Sequence, residues 1–231
     1  MMEKGAEATP LTHVIIAALN EEHGIGLTIA EMQAHINCSV LVVDGNSTDR
    51  TVEVAKNLGA EIAFQNGKGK GDALAKAIEC SNLDVDYIVI TDADFTYPAE
   101  HIPQMIAILQ ENPRVGMVCG NRFTENLDTK ALHTVFHLGN RLIAFTHSFL
   151  NGVQMKDPLT GLRVVRAEIL KDWVVKSKGF DIEVELNHLV ERKGYQIVEV
   201  PIGYRERVGE KKLKVKHGMD ILKRIMLETT Q

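Results

Sequence analysis

One short stretch, from Tyr87 to Pro98, limits what this chain can fold into more than any other. It begins with Tyr-Ile-Val-Ile, a run of β-branched and aromatic residues typical of a strand buried on both faces. Asp92-Ala93-Asp94 follows, where that strand should emerge at the edge of its sheet. Two carboxylates around one small residue repel each other unless a cation lies between them, and Mg²⁺ or Mn²⁺ prefers such oxygen ligands. The stretch therefore predicts a divalent metal site, although an isolated Asp-x-Asp is also common in solvated turns.

Strands and helices alternate along the first half of the chain. The predicted strands are 12–19, 39–43, 61–64, 87–90 and 115–119, and the predicted helices begin near Asn20, Ser47 or Thr48, Asp72 and Pro98. This alternation predicts an α/β fold with a mostly parallel central sheet and helices on both faces. Ligands of such sheets bind at the carboxyl ends of the strands. Asn20 with Glu21, Asp44, and Asp92 with Asp94 each follow a predicted strand, so we expect them at one edge.

Composition narrows the class of protein. The chain has 231 residues, enough for one domain, and its 45% hydrophobic and 25% charged residues are ordinary for a globular protein. The three cysteines lack Cys-x-x-Cys spacing, and neither a signal peptide nor a membrane-spanning apolar run is evident, which predicts a cytoplasmic protein. A net charge of −5 argues against nucleic acid as a partner. The stretch 205–224 is nevertheless basic and suits a phosphate or an anionic membrane surface, so peripheral membrane contact is one interpretation.

The second half of the chain is less regular. The pattern predicts a helix at 131–150, an acidic helix at 180–192, a strand at 196–204 and a C-terminal amphipathic helix at 217–227. The apolar residues of that last helix are Ile221, Leu222, Ile225 and Met226. They either rest on a membrane surface or pack against the domain.

Several short motifs are arranged along the chain as in one enzyme family. They are Ala18–Glu22, Val42–Asp49, Gly69–Gly71, Asp92–Asp94, Gly120–Phe123, Asp157–Arg163 and Phe180–Glu183. In this order they resemble family 2 glycosyltransferases of the GT-A fold, and most closely the dolichyl-phosphate and other polyprenyl-phosphate sugar synthases. Two competing classes of enzyme lack support. A dinucleotide-dependent dehydrogenase would carry Gly-x-Gly-x-x-Gly after the first strand, and this chain does not. A P-loop enzyme would carry Gly-x-x-x-x-Gly-Lys-[Ser/Thr], and the glycine loop at 66–71 lacks that ending.

The resemblance implies a role for individual residues. The nucleotide-sugar site would contain Asn20, Glu21, Asp44, Lys70 and Gly71, and Asp92 and Asp94 would hold Mg²⁺ or Mn²⁺. Arg122 and Arg163 would be catalytic cations. The acceptor phosphate would be bound by Arg122, Arg163, Arg205, Arg207 and Lys211.

The resemblance also implies an activity and a division of the chain. The expected reaction is an inverting, metal-dependent transfer of a hexose from a nucleotide sugar to dolichyl or another polyprenyl phosphate. GDP-mannose is the default donor, and Leu19, Gly45 and Thr96 depart from the family pattern, which leaves UDP-sugars open. We expect one domain, with residues 12–123 binding the nucleotide sugar, 124–216 the acceptor, and 217–231 forming the terminal helix.

The sequence supports three other functions less well. A hydroxyl acceptor on a glycan would need a general base such as Glu183 or Glu185, although an acidic helix face is more often solvated. A non-catalytic nucleotide-sugar-binding protein is disfavoured because both carboxylates and the cationic residues are present. A sugar-phosphate nucleotidyltransferase would carry a glycine-arginine loop after the first strand, and this chain has none there.

Overall fold

A computed structural model of the protein describes residues 10–81, 83–123, 155–209 and 217–228. The helix predicted at 131–150 and the predicted phosphate ligand Lys211 lie outside these ranges. The strands are β1 (Thr12–Ala18), β2 (Cys38–Asp44), β3 (Glu61–Phe64), β4 (Tyr87–Asp92), β5 (Val115–Asn121), β6 (Arg163–Arg166) and β7 (Gln196–Pro201). The helices are α1 (Ile25–His35), α2 (Thr51–Asn57), α3 (Lys70–Cys80), α4 (Ile102–Glu111), α5 (Ala167–Leu170), α6 (Ile182–Arg192) and α7 (His217–Glu228), with a 3₁₀ turn at Ala99–His101.

The seven strands of the described residues form one sheet in the order β3-β2-β1-β4-β6-β5-β7. All neighbours are parallel except β6, which runs antiparallel to both β4 and β5. The chain moves outward from β1 to β3 and then returns to place β4 on the other side of β1. This reversal opens a crevice at the carboxyl ends of β1 and β4, where ligands of open α/β sheets bind.

Helices cover both faces of the sheet, because successive side chains of a strand point to opposite sides. Val14 and Ile16 of β1 pack in one apolar cluster with α1 and α4. Ile15 between them packs in a second cluster with α3 and α6. The predicted α/β architecture with a mostly parallel, doubly covered sheet is thus confirmed.

The helices after β1 and β2 begin later than predicted. The first helix begins at Ile25 rather than near Asn20, because Asn20 has a left-handed backbone (φ 50°). The chain then forms a turn in which the amides of Gly24 and Ile25 donate hydrogen bonds to the Glu21 carbonyl. The second helix begins at Thr51. Both segments therefore remain loops at the carboxyl edge of the sheet.

Strand β6 was not predicted. Its four residues are too short to show alternation, and they follow the turn residues Thr160 and Gly161. The predicted strand 196–204 ends earlier, at Pro201. Since β6 lies beside β4, it brings Gly161 next to the end of the central strand.

The C-terminal helix α7 packs against the domain. Its residues Ile221 and Ile225 are buried against Val184 of α6. The Arg224 guanidinium donates a 3.0 Å hydrogen bond to Asp181 at the start of the same helix. Met226 and Leu227 are exposed. Of the two predicted placements, the structure shows the packed one for Ile221 and Ile225. Within the described residues, no helix combines the length and the hydrophobicity needed to cross a membrane.

Glu191 in the last turn of α6 provides a prediction on stability and pH. Burial raises the pKa of this carboxyl to about 7. Folding therefore favours the protonated form. The contribution of this form to the free energy of unfolding is fully present below the ordinary pKa of 4.5 and is lost as the pH rises through 7. We expect Glu191→Gln to raise the free energy of unfolding by about 1–2 kcal/mol at pH 8, allowing for partial exposure, and by little at pH 4. Urea unfolding at both pH values measures this, and an equal effect at both would contradict it.

Candidate active site

The candidate site lies in the crevice at the carboxyl ends of β1 and β4. Strand β1 leads into Asn20 and Glu21, and β4 ends at Asp92. The two strands are hydrogen-bonded neighbours, with Ala17 paired with Asp92. Glu21 and the Asp92-Ala93-Asp94 motif therefore meet, although about 70 residues separate them along the chain.

Asp92 is bound by a lysine from another element. The Lys70 ammonium, at the start of α3, lies 2.6 Å from Oδ1 of Asp92 and 2.8 Å from Oε1 of Glu183 on α6. Burial alone would raise the pKa of Asp92 and lower that of Lys70, but their mutual attraction outweighs it, so the pKa of Asp92 is lowered and that of Lys70 raised. Asp92 and Lys70 are therefore held in their charged forms.

Asp94 is bound by an arginine from the end of the chain. The Arg207 guanidinium donates a 2.7 Å hydrogen bond to Oδ2 of Asp94 and also pairs with Glu21. Oδ1 of Asp94 accepts a 2.6 Å hydrogen bond from the Thr96 hydroxyl. Burial and the neighbouring charge of Asp92 raise the pKa of Asp94. Segment 203–209 is fixed over the motif because the amide of Val208 donates to the Asp94 carbonyl at 3.1 Å.

These contacts join six charged side chains, which we call the central network: Glu21, Lys70, Asp92, Asp94, Glu183 and Arg207. Four carboxylates face two cations, which leaves two negative charges. This excess matches the charge of one divalent cation. The side chain of Asp92 is 31% exposed and that of Asp94 only 7%, so a cation could reach the pair from the side of Asp92.

The donor chemistry also fits a divalent metal. Asp92 and Asp94 offer carboxylate oxygens, which Mg²⁺ and Mn²⁺ prefer, and such ions usually take one or two carboxylates with waters and phosphates. In the described part of the chain, no three or more His, Cys, Asp and Glu side chains form a complete metal site by themselves. An ion bound here would be held by Asp92 and Asp94, with its other positions left to water and phosphate.

Gly161 allows Asp92 to occupy its position. A Cβ atom at residue 161 would lie 2.4 Å from Oδ2 of Asp92 and 2.9 Å from the ring of Tyr97. The amide of Gly161 donates a 2.7 Å hydrogen bond to the Tyr97 hydroxyl, which fixes this approach. The turn before β6 is therefore built against the carboxylate at the end of β4.

Residues 13–174 match the model of the family described as glycosyl transferase family 2. The chain is a family 2 glycosyl transferase. This confirms both the predicted family and the prediction that the protein is an enzyme. The matched range contains Glu21, Lys70, Asp92 and Asp94, whereas Glu183 and Arg207 lie beyond it.

Relatives of known name agree with this assignment. The transferase is 36% identical over 202 residues to a "Dolichyl-phosphate hexose transferase" of Haloferax volcanii, covering 87% of this chain and 85% of that protein. It is 32% identical over 194 residues to "Glycosyltransferase AglJ" of the same organism, covering 84% of this chain and 63% of that protein.

Solved structures confirm the fold. Glucosyl-3-phosphoglycerate synthase of Mycobacterium tuberculosis, solved in complex with UDP, superposes with a TM-score of 0.75, covering 96% of this chain and 80% of that one. A structure of the same enzyme with Mn²⁺, UDP and glucosyl-3-phosphoglycerate gives a TM-score of 0.72. The sequence identities are 20% and 18%, so the likeness concerns the fold. The predicted GT-A architecture of the transferase is thereby established.

Three residues predicted in the nucleotide site hold loops of the transferase in place. Both carboxylate oxygens of the buried Asp44 accept hydrogen bonds from Ser47. The side-chain oxygen of Asn20 accepts the amide of Thr48 at 2.8 Å, which ties the loop after β1 to the loop after β2. The amide of Gly71 donates to carbonyls of residues 178 and 179, and a Cβ there would lie 2.3 Å from the Ser177 carbonyl oxygen. These contacts hold the loops that border the crevice in fixed positions.

Arg122 forms a bidentate ion pair with Asp157. Its Nε and one terminal nitrogen each lie 2.7 Å from a carboxylate oxygen, and Asp157 is fully buried. The guanidinium also lies 5.4 Å from the ring centre of Tyr204. Burial acts to lower the pKa of Arg122, but the neighbouring Tyr97 and the Asp157 carboxylate raise the pKa well above its ordinary value. The pair joins positions 122 and 157 beside Asp92, whose pKa the Arg122 charge also helps to lower.

This ion pair yields a prediction on stability. Replacing Asp157 with asparagine keeps the shape of the side chain but leaves the largely buried Arg122 without its counter-charge. Breaking a buried pair from one side is costly, so we expect Asp157→Asn to lower the free energy of unfolding by about 2–4 kcal/mol. Urea unfolding measures it, with Asp84→Asn at an exposed pair with Lys171 as the control. A loss below 0.5 kcal/mol, no larger than the control's, would contradict the structural importance of the bridge.

Arg163 is placed differently from the prediction, whereas the predicted phosphate contact of Arg205, which is partly exposed, stays a prediction. Arg163 is 1% exposed, and its guanidinium donates to the carbonyls of Thr160 and Pro158 at 2.9 and 2.7 Å. Such a buried group holds the turn before β6 and has no open side for an acceptor, which corrects its expected catalytic role. Arg205 pairs with Glu31 at 2.6 Å and lies 4.3 Å from the ring centre of Phe95.

Glu183 and Glu185 are buried, which corrects the prediction of a solvated acidic face. Glu185 accepts hydrogen bonds from the Trp173 indole and from the amides of Lys176 and Ser177, so it fixes the loop that packs on Gly71. Glu183 faces Lys70. Only the Phe-Asp-Ile-Glu motif at 180–183 signalled this position in the sequence, and it did not reveal the partner.

Proposed function

We propose that the protein transfers a hexose from a nucleotide sugar to dolichyl or another polyprenyl phosphate, with inversion and with Mg²⁺ or Mn²⁺ as cofactor. The observation that carries the proposal is the Asp92 and Asp94 pair at the strand reversal, in a network of four carboxylates and two cations. The 36% identical relative named as a dolichyl-phosphate hexose transferase supports the acceptor class.

The side chains suit the departure of a nucleoside diphosphate. A bound divalent ion would neutralise charge that develops on the leaving phosphate oxygens. Lys70 and Arg207 place two further cations beside the same pair of carboxylates. Nε of Arg207 is buried and has no hydrogen-bond acceptor among the described residues, so this nitrogen can donate to a phosphate oxygen.

The state of Glu183 favours a phosphate acceptor over a hydroxyl acceptor. A hydroxyl nucleophile needs a general base, whereas a phosphate oxygen already carries negative charge. Glu183 is buried and forms an ion pair with Lys70 at 2.8 Å, so it is poorly placed to take a proton from an acceptor. Direct attack by the lipid phosphate on the anomeric carbon, with the diphosphate leaving from the opposite face, inverts that centre.

The donor is proposed as GDP-mannose, with a UDP-sugar as the second candidate. GDP-mannose follows from the resemblance to dolichyl-phosphate sugar synthases. The fold neighbours solved with UDP and Mn²⁺ support a UDP-sugar, and Thr96, which bonds to Asp94, stands at a position where the family pattern differs. A thermal-shift screen of GDP- and UDP-sugars with Mn²⁺ separates them, because a ligand of the folded state raises the melting temperature according to its affinity.

The proposal is tested by supplying radiolabelled GDP-mannose, UDP-glucose and UDP-N-acetylglucosamine with Mg²⁺ or Mn²⁺. Label from one donor should enter the organic phase only when a polyprenyl phosphate is present, and EDTA should prevent it. Label that enters only a water-soluble glycan would contradict the lipid acceptor. Binding of a nucleotide sugar without any transfer would favour the non-catalytic alternative.

A further inference from the structure

The proposed reaction assigns no role to the buried carboxylate of Glu183. Its Oε1 lies 2.8 Å from the Lys70 ammonium, and its Oε2 is buried with no hydrogen-bond partner in the described part of the chain. Only 7% of the side chain is exposed. A buried carboxylate oxygen without a donor is costly, so its retention here calls for a reason.

The surroundings hold Glu183 in a fixed position. It lies in the first turn of α6, where its neighbours Val184 and Glu185 are anchored by α7 and by the loop at 173–177. That loop continues into residues 178 and 179, whose carbonyls accept the amide of Gly71 beside Lys70. Glu183 and the start of α3 thus belong to one packed unit that does not depend on a bound substrate.

The charges around Lys70 create a conflict that Glu183 can resolve. In this structure Lys70 is the counter-ion of Asp92, at 2.6 Å. A divalent cation on Asp92 repels the ammonium, which must then leave Asp92 or block the cation. An ammonium has three donors, and the second oxygen of Glu183 is available to accept one of them.

From this geometry we infer that Glu183 is a positioning residue, which retains the Lys70 ammonium in the site when Asp92 binds the metal ion. The inference rests on the proposed metal-dependent function and deepens it. Lys70 moves between two carboxylates that are both present: paired with Asp92 and Glu183 without metal, and held by both oxygens of Glu183 with metal. Glu183 thereby keeps a cation beside the leaving diphosphate without weakening the metal site.

The test is a double-mutant cycle on the binding of Mn²⁺ alone, measured by electron paramagnetic resonance on the full chain. Glu183→Gln keeps the size of the side chain but removes the charge, so Lys70 stays on Asp92 and Mn²⁺ should bind about tenfold more weakly. In a Lys70→Met background the same substitution should change the Kd less than twofold, because no ammonium remains to be retained. Glu183→Asp, which keeps the charge, should recover part of the affinity.

Glu228→Gln is the matched control, because Glu228 is an equally buried carboxylate whose partners are Arg192 and Arg224. It should leave the Kd for Mn²⁺ unchanged. A tenfold loss on Glu183→Gln in both backgrounds would show that Glu183 acts without Lys70 and would overturn the inference. Equal binding by the wild type and Glu183→Gln would overturn it as well, while leaving the proposed function intact. If the wild type binds no Mn²⁺, with or without UDP or GDP, the metal-dependent function fails and the inference fails with it.

Discussion

Asp94→Asn should reduce sugar transfer by roughly a hundredfold or more at saturating donor. The substitution keeps the size of the side chain and can retain the hydrogen bond from Thr96, but it removes one of the two carboxylate charges that would hold the metal. It also leaves Arg207 paired with Glu21 alone. The negative excess of the central network then falls from two charges to one, and stabilisation of the leaving diphosphate is lost.

The effect is measured as the initial rate of label transfer with Mg²⁺ or Mn²⁺. Asp84→Asn serves as the control, since it removes a carboxylate of the same type from an exposed ion pair and should keep the wild-type rate. Melting temperatures of both variants should lie within a few degrees of the wild type, which separates a loss of chemistry from a loss of folding. A rate for Asp94→Asn within threefold of the wild type would contradict the assigned role of Asp94.

Gly161→Ala is the second substitution expected to have a large effect. The added Cβ would lie 2.4 Å from Oδ2 of Asp92, closer than atoms of this kind approach, so the carboxylate must move. The displacement separates Asp92 from its position beside Lys70 and Asp94. Because catalytic geometry tolerates shifts of well under 1 Å, we expect transfer to fall about tenfold to a hundredfold.

The matched control is Gly203→Ala, whose added Cβ would meet, among the described residues, only Pro98 at 3.6 Å, an ordinary contact. Steady-state rates of both variants are compared with the wild type, and Mn²⁺ binding is measured on each. Gly161→Ala should weaken Mn²⁺ binding while Gly203→Ala does not. Unchanged rate and unchanged Mn²⁺ binding in Gly161→Ala would show that the position of Asp92 is not critical.

The fold was largely predictable because its signals are local. Buried strands such as Tyr87–Asp92 are short β-branched runs, and helices alternate with them, which is sufficient to indicate a parallel sheet covered on both faces. Strand β6 was missed because four residues after a turn are too few to show the alternation of apolar and polar residues that marks a strand. The late start of α1 was missed because Asn20 and Glu22 look like helix-capping residues, whereas tertiary contacts to Thr48 and Asp49 hold them in a loop.

The sequence indicates which residues lie at the candidate site better than it indicates which side chains form ion pairs with each other. Carboxylates at strand ends can be located along a sequence, and Asp92 and Asp94 were found in this way. Which cation meets which carboxylate depends on loops from distant elements, since Arg207 is 113 residues from Asp94 and Lys70 is 22 residues from Asp92. Arg163 shows the same limit, because a buried arginine that holds backbone carbonyls has the same sequence appearance as one that binds phosphate.

We propose above that Asp92 and Asp94 bind a divalent cation together with a nucleoside diphosphate. The most direct measurement is a crystal structure of the protein grown with Mn²⁺ and either UDP or GDP, with anomalous data collected at the manganese edge. We expect one anomalous peak in contact with carboxylate oxygens of Asp92 and Asp94 and with the diphosphate, and the Lys70 ammonium on Glu183. A diphosphate bound in the crevice with no manganese there, while Lys70 and Arg207 remain paired to Asp92 and Asp94, would contradict it.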